Sequence, residues 1–149
     1  MGPDVLDPKI HHNNLLNSIL AKIEANVAGA DDALMLDGRG FVAETIATNL
    51  FAVIDAGLVT PRTVACPEGI TRRTVLALAE ANAIPYEVRD VSLAEFYAAE
   101  EVFCTGTMGE IAGIVAIDGR PIGSGVPGVV TRRVAQLYGD HVRAHGVPL

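Results

Sequence analysis

The chain has 149 residues, of which 50% are hydrophobic, and we expect residues 1–149 to form one domain with a sizeable core. Its net charge of −7 argues against a nucleic-acid partner, because such binding depends on clustered Lys and Arg. Its two cysteines lack metal-binding or redox spacing and no apolar run is long enough to cross a bilayer, so a cytoplasmic protein with reduced thiols is expected, although a disulfide stays open.

The first third of the chain is predicted to be one helix followed by short strands. Apolar residues recur at helical spacing from residue 12 to residue 29 and predict an amphipathic helix whose apolar face is packed on some other surface. Gly29 is suited to end this helix. A meander is then predicted, with a tight hairpin at Ala56-Gly57 and strands over residues 33–37, 41–45, 48–55 and 58–60.

Helices and strands alternate in the rest of the chain. Ser92 and Glu95 have the spacing of a capping box, and Asp118-Gly119 is a strong hairpin turn signal. Periodicity predicts helices over residues 71–83, 92–100 and 130–145, and strands over residues 86–91, 101–106, 111–117 and 120–122. The last two strands are expected to pair with each other, and the fold class is α/β.

One acid, Glu44, lies among apolar and small residues between two predicted strands. Burial of an unpaired carboxylate is costly, so Glu44 should either have a cationic partner or lie at an opening. A strand-edge glutamate that faces water is the simpler interpretation of this segment taken alone.

Two glycine-containing turns are suited to holding anions. Gly69-Ile-Thr-Arg72 leads from a loop into a helix, whose first N–H groups have no partner within the helix and carry partial positive charge. Thr105-Gly-Thr-Met-Gly109 ends a strand with further exposed N–H groups and two hydroxyls. An ordinary helix cap and ordinary turn chemistry explain the same patterns.

These segments carry a family resemblance. The chain resembles the class IV (fold type IV) pyridoxal-phosphate aminotransferases, nearest the branched-chain-amino-acid aminotransferase group, along nearly its whole length. The colinear segments are 14–25, 40–45 with 48–51, 69–72, 101–103, 105–111 and 118–123. The resemblance implies the family's C-terminal domain, an α/β fold with a bent, barrel-like mixed sheet and flanking helices, without the N-terminal domain that members carry.

The resemblance also implies a function, namely amino-group transfer between an amino acid, of branched-chain type, and a 2-oxo acid, by a homodimer that uses pyridoxal 5'-phosphate (PLP). Glu44 matches the acid that contacts the pyridine nitrogen. The matches to the phosphate contacts are Gly69, Ile70, Thr71 and Thr107. The matches to backbone donors near the substrate carboxylate are Met108 and Gly109.

The sequence departs from the family at the Schiff-base lysine. The matching position is His11, or Ile10 in members with one more residue, and Lys9 is the nearby substitute, two residues out of register. Histidine cannot form the bond that lysine forms, although it could shuttle a proton. The alternatives are therefore a non-catalytic PLP- or phosphate-binding module or subunit, or an altered or truncated chain.

Two further expectations concern charge at the predicted site. Glu68 places negative charge beside the Gly69 turn, which is unfavourable unless its side chain points to solvent. His11 and His12 have no matching third ligand, and no metal site is predicted.

Overall fold

The computed structural model describes residues 15–146. Its helices are α1 (Leu16–Val27), α2 (Ile70–Ala81), α3 (Leu93–Ala98) and α4 (Val129–His145). Its strands are β1 (Leu34–Leu36), β2 (Val42–Thr45), β3 (Asn49–Ile54), β4 (Gly57–Pro61), β5 (Tyr86–Arg89), β6 (Glu101–Gly106), β7 (Glu110–Ile114), β8 (Ala116–Ile117) and β9 (Arg120–Pro121). The expected α/β class is confirmed, and no helix in this part of the chain is long and apolar enough to cross a membrane.

The main sheet has five strands in the order β5-β4-β3-β6-β7. The β4–β5 pair is parallel and the other pairs are antiparallel, so the sheet is mixed, as expected. It is open rather than barrel-like, with β5 and β7 at its edges. The predicted meander is also divided, because β1 and β2 form a separate two-stranded sheet and the chain reverses at Thr45–Thr48 before β3 begins.

The central strand β3 is buried on both faces of the main sheet. Because side chains alternate along a strand, Leu50 and Ala52 face one core, which includes Phe96 of α3. Phe51 faces the other core, where α2 and α4 pack and where its ring stacks on Phe103 with centroids 5.0 Å apart. Burial on both faces explains why this strand is a continuous apolar run rather than an alternating one.

The amphipathic helix α1 forms as predicted, but its apolar face is not packed against the rest of the described chain. The surface on which this helix is predicted to pack is therefore not supplied by residues 15–146. The spacing of apolar residues predicts that a helix has an apolar face, but it does not predict which surface covers that face. The exposed fractions are 59% for Leu16, 53% for Ile19, 51% for Leu20, 53% for Ile23 and 85% for Val27.

Two hairpins differ from the prediction. The β3–β4 turn is formed by Asp55 and Ala56, both with positive φ, and Gly57 already belongs to β4. The predicted strand over residues 111–117 is divided, because β7 pairs with β6 whereas only β8 pairs with β9, around the expected Asp118-Gly119 turn.

The strand predicted over residues 86–91 ends at Arg89 and is largely exposed, because it is an edge strand.

The N-terminus of α4 is closed by a side chain from the main sheet. Both oxygens of Glu101 on β6 accept hydrogen bonds from α4, one from the Val130 N–H at 3.0 Å and one from the Thr131 N–H at 2.7 Å. Burial acts to raise the pKa of Glu101, but the hydrogen bonds from Thr131 and Val130 outweigh it and the net pKa is lowered. The ionised carboxylate therefore stabilises the fold and satisfies this helix end.

Replacing this carboxylate should make the fold less stable in a pH-dependent way. We expect Glu101→Gln to cost about 1–2 kcal/mol of unfolding free energy at pH 7, because two charge-assisted hydrogen bonds become neutral ones. A lowered pKa contributes stability above the unfolded-state pKa, and this contribution disappears as the pH falls through the folded-state pKa. Urea unfolding at a series of pH values from 7 downward should therefore show the largest difference at pH 7 and a smaller one as the pH falls through the folded-state pKa of Glu101. Glu80→Gln, at an exposed position on α2, is the control, and equal losses from both variants would contradict the assignment.

Candidate functional site

Glu44 on β2 is buried, with 8% of its surface exposed. Burial raises the pKa of its carboxyl to about 7. No cationic side chain among residues 15–146 forms an ion pair with it, since loss of hydration alone accounts for the shift. The simpler interpretation, a glutamate that faces water, is therefore wrong, and the site holds a carboxyl group that lacks a positively charged partner in the described part of the chain.

Cys66 lies beside Glu44. Its buried thiol is 3.7 Å from the carbonyl oxygen of Ala43 and contributes a hydrogen bond to it. Burial, followed by the charge of Glu44, raises the pKa of this thiol to about 12. Cys66 and Cys104 are both free, so no disulfide joins them. The loop that contains Cys66 thus connects the acid to the turn three residues further on.

That turn ends at Gly69, which has a φ of +73° and precedes α2. A Cβ atom at Gly69 would lie 1.8 Å from Oδ1 of Asn49, so only glycine fits between the turn and β3. Within the described chain, no group accepts a hydrogen bond from the backbone N–H of Ile70, Thr71 or Arg72. These N–H groups are therefore available to an anion, as the sequence predicted for a helix N-terminus.

The side chains of this first turn of α2 differ in their surroundings. The Ile70 side chain is exposed, whereas Thr71 is only 2% exposed and its hydroxyl lies 3.4 Å from the hydroxyl of Tyr138 on α4. The Thr71 hydroxyl thus already has a contact inside the chain. The Glu68 side chain is exposed, as its position beside the turn requires, and its carboxylate lies 4.0 Å from the guanidinium of Arg73.

Arg72 is a buried cation that sequence reasoning did not assign to the site. Its guanidinium donates to the hydroxyl of Thr60 at 3.1 Å and to the carbonyl oxygen of Pro61 at 3.0 Å. Burial lowers the pKa of Arg72, and no carboxylate in residues 15–146 pairs with it. Its side chain fixes α2 to β4 and adds positive charge close to the Gly69 turn.

The sheet register brings the two predicted turns together. Asn49 at the start of β3 is the partner of Thr105 near the end of β6. Each lies two residues from a member of the stacked pair Phe51 and Phe103, so all four side chains are on the same sheet face. The hydroxyl of Thr105 is buried and has no hydrogen-bond partner in the described chain. The next residues, Thr107, Met108 and Gly109, form the exposed β6–β7 turn, with Met108 fully exposed.

Two predicted residues, Lys9 and His11, lie outside the described residues. Within residues 15–146, no group of three or more His, Cys, Asp or Glu side chains is arranged to hold a metal ion.

Comparison with known proteins identifies the family. The protein family described as "Amino-transferase class IV" matches residues 1–117 of the chain. The chain belongs to this family. The resemblance given by the sequence motifs is thereby confirmed.

Several class IV relatives are similar over almost all of this chain. "Branched-chain-amino-acid aminotransferase-like protein 2" of Arabidopsis thaliana is 53% identical over 99% of the chain and 26% of the relative. The T.th. branched-chain amino acid aminotransferase, solved with pyridoxamine 5'-phosphate, has 39% identity and a TM-score of 0.93, covering 97% of this chain and 48% of that one. The Thermobaculum terrenum enzyme in its PLP-bound holo form has 39% identity and a TM-score of 0.92, with the same coverage.

This class IV chain therefore spans between a quarter and a half of the length of these relatives. The expected fold type IV architecture is confirmed by the structural match. The comparisons give no support to the alternative of a non-catalytic binding module.

Sequence reasoning missed three side chains that the fold brings to the site: Asn49, Cys66 and Arg72. Asn49 and Arg72 lie in segments that carry the family resemblance, but neither residue alone suggested a role. The only local signal was the glycine at position 69, where a loop leads into a helix, because a closely packed turn needs side chains from other elements to hold it in place.

Proposed function

We propose that this chain binds PLP between Glu44 and the N-terminus of α2, as part of an enzyme that transfers amino groups between a branched-chain amino acid and a 2-oxo acid. The observation that carries the proposal is the buried Glu44 carboxyl, which lacks a cationic partner among residues 15–146. A protonated pyridine nitrogen would supply the missing positive charge.

The other end of such a ligand is also matched by the structure. The three N–H groups of Ile70, Thr71 and Arg72 have no acceptor in the described chain, and they suit a phosphate. The buried charge of Arg72 favours an anion at the same place. The unpartnered hydroxyl of Thr105 offers a further donor on this side of the sheet. Each of these features is satisfied by an anionic group and none by an apolar one.

Each site residue can be given a role under this proposal. PLP, when bound, withdraws electrons from the substrate's α carbon and carries the amino group between the two substrates. The Glu44 carboxylate accepts a hydrogen bond from the ring N–H and keeps that proton in place. Gly69, Ile70 and Thr71 bind the phosphate through backbone N–H groups, with the Thr107 hydroxyl as a second contact. The backbone N–H groups of Met108 and Gly109 orient the substrate carboxylate.

The amine that holds the cofactor is assigned to Lys9, with His11 as a proton shuttle beside it. Both residues lie outside the described part of the chain, so the assignment rests on the sequence match. The other lysine, Lys22, belongs to α1, and its ammonium donates to the carbonyl of Asp31.

Reductive trapping tests the assignment. Incubation with PLP and borohydride, followed by peptide mass mapping, should place the pyridoxyl group on Lys9, and Lys9→Arg should abolish labelling. His11→Lys should add a second labelled position, because it restores the family's register. Labelling on Lys22 alone, or no labelling of the wild-type chain, would refute the proposal.

We extend the proposal to a cytoplasmic homodimer. The two free thiols suit a reducing compartment. The exposed apolar face of α1 is a surface that a partner could cover. Sedimentation velocity at several concentrations measures the oligomeric state, and a monomer at all of them would remove the dimer from the proposal.

A further inference from the structure

The helices α2 and α4 pack on the same sheet face and both begin after a glycine, but the hydrogen bonding of their N-termini differs. Each follows a glycine, Gly69 for α2 and Gly128 for α4. At each glycine a side chain from the main sheet occupies the space of a Cβ atom. This side chain is Asn49 at Gly69, where its Oδ1 would be 1.8 Å away, and Glu101 at Gly128, where its Cδ would be 2.0 Å away.

The hydrogen bonds of these two side chains are different. Glu101 accepts from the backbone N–H groups of Val130 and Thr131, so the chain itself satisfies the start of α4. Asn49 accepts from none of the N–H groups of α2 and instead donates, through Nδ2, to the carbonyl oxygen of Pro67 at 3.1 Å. The opposite orientation of the amide would place its oxygen against that carbonyl oxygen, which is repulsive, so Nδ2 is the donor.

We propose that Asn49 is a positioning residue for the ligand phosphate. Its amide holds the 66–69 loop against β3 through Pro67 and lies against Gly69, which fixes the direction of the first N–H groups of α2. Because the amide is neutral and does not accept from those groups, it leaves them free for the ligand. This inference rests on the proposed function, since the ligand concerned is PLP.

The position of Asn49 explains why an amide rather than an acid is needed. Asn49 is 6% exposed and is the register partner of Thr105, so a charge at this place would be poorly hydrated and close to both turns. A carboxylate here would do for α2 what Glu101 does for α4, because it would accept the helix N–H groups and repel a phosphate. The pair of helix starts thus provides an internal comparison for the effect of charge.

The test compares PLP with pyridoxal, which has the same ring without the phosphate. Equilibrium dialysis, followed through the absorbance of the two compounds, gives both dissociation constants for the full chain and its variants. Asn49→Asp should weaken PLP binding on the order of tenfold relative to pyridoxal, because it puts an anion at the helix start. Asn49→Ala should also weaken PLP binding relative to pyridoxal, but by a smaller factor, because it removes the hydrogen bond to Pro67 without adding charge.

The ratio distinguishes positioning from support of the fold. A change that only loosens the fold weakens both ligands equally, and an unchanged ratio in Asn49→Asp would overturn the inference while leaving PLP binding intact. Asn26→Asp, at an exposed position on α1, is the matched charge control and should leave the ratio at its wild-type value. If the wild-type chain binds neither compound, the proposed function fails and the inference fails with it. Asn49→Asp has the shape of the native residue, so it decides the outcome if Asn49→Ala does not fold.

Discussion

Glu44→Gln should make the ligand-free chain more stable than the wild type above pH 7. In the wild type, burial raises the pKa of Glu44 from an ordinary value of 4.5 to about 7. Below pH 4.5 the carboxyl is protonated whether the chain is folded or unfolded, so it has no effect on stability. Between pH 4.5 and 7 it ionises in the unfolded chain first, and the wild type loses about 3 kcal/mol of unfolding free energy across this interval.

Urea unfolding between pH 4 and pH 8 measures this effect. The difference between Glu44→Gln and the wild type should grow as the pH rises from 4.5 to 7 and remain constant above it. Other carboxyl groups contribute their own pH dependence to both proteins, and the subtraction removes it. Glu24→Gln, at an exposed position on α1, should give a difference that does not vary with pH. A flat difference for Glu44→Gln would show that its carboxyl is hydrated.

The same substitution should have the opposite effect on ligand binding. If a protonated ring nitrogen rests against Glu44, loss of the buried charge should weaken PLP binding on the order of 100-fold. Equilibrium dialysis at pH 7.5 measures this. If Glu44→Gln both stabilises the chain and weakens PLP binding, the charge of Glu44 serves ligand binding at a cost in stability. Unchanged PLP affinity in Glu44→Gln would contradict the proposed position of the ring.

Gly69→Ala should be among the most destabilising substitutions in the described chain. A Cβ atom there would lie 1.8 Å from Oδ1 of Asn49, whose side chain is buried and hydrogen-bonded to Pro67. The positive φ of +73° adds backbone strain for any residue other than glycine. We expect a loss of about 2–4 kcal/mol in unfolding free energy, measured by urea denaturation.

Gly119→Ala measures the cost of a side chain at a positive φ where there is no clash. Gly119 has the same φ of +73°, but a Cβ atom there would meet nothing within 4 Å. Its loss should be about 1 kcal/mol, from backbone strain alone. In addition, Gly69→Ala should cost less in an Asn49→Ala background than in the wild type, because the clashing side chain has been removed. Equal losses at positions 69 and 119 would show that the Asn49 contact is unimportant.

Much of the local structure could be predicted because its causes are local. The capping box of Ser92 and Glu95 forms as expected, since both partners lie within one helical turn. The Asp118-Gly119 turn and the order of helices and strands follow from the same kind of short-range signal. The family motifs were likewise continuous segments, so they could be recognised without knowledge of the fold.

Predictions failed where a residue's surroundings come from distant parts of the chain. The amphipathic pattern of α1 correctly indicated a helix with an apolar face, but not that this face stays exposed in residues 15–146. The division of the strand over residues 111–117 depends on pairing with β6, which competes with the nearer hairpin. The buried position of Arg72 depends on acceptors supplied by β4.

The sequence by itself determined the α/β class, the element order, an acid in apolar surroundings at Glu44 and a glycine turn before a helix at Gly69. Only the tertiary structure decided that Glu44 lacks a cationic partner in the described chain, and that Asn49 lies against Gly69. It also decided that Glu101 accepts hydrogen bonds from the first N–H groups of α4, whereas those of α2 have no acceptor in the described chain. The reason is physical, because hydration and long-range pairing depend on which strands lie side by side, and the sheet register sets this only when the whole chain has folded.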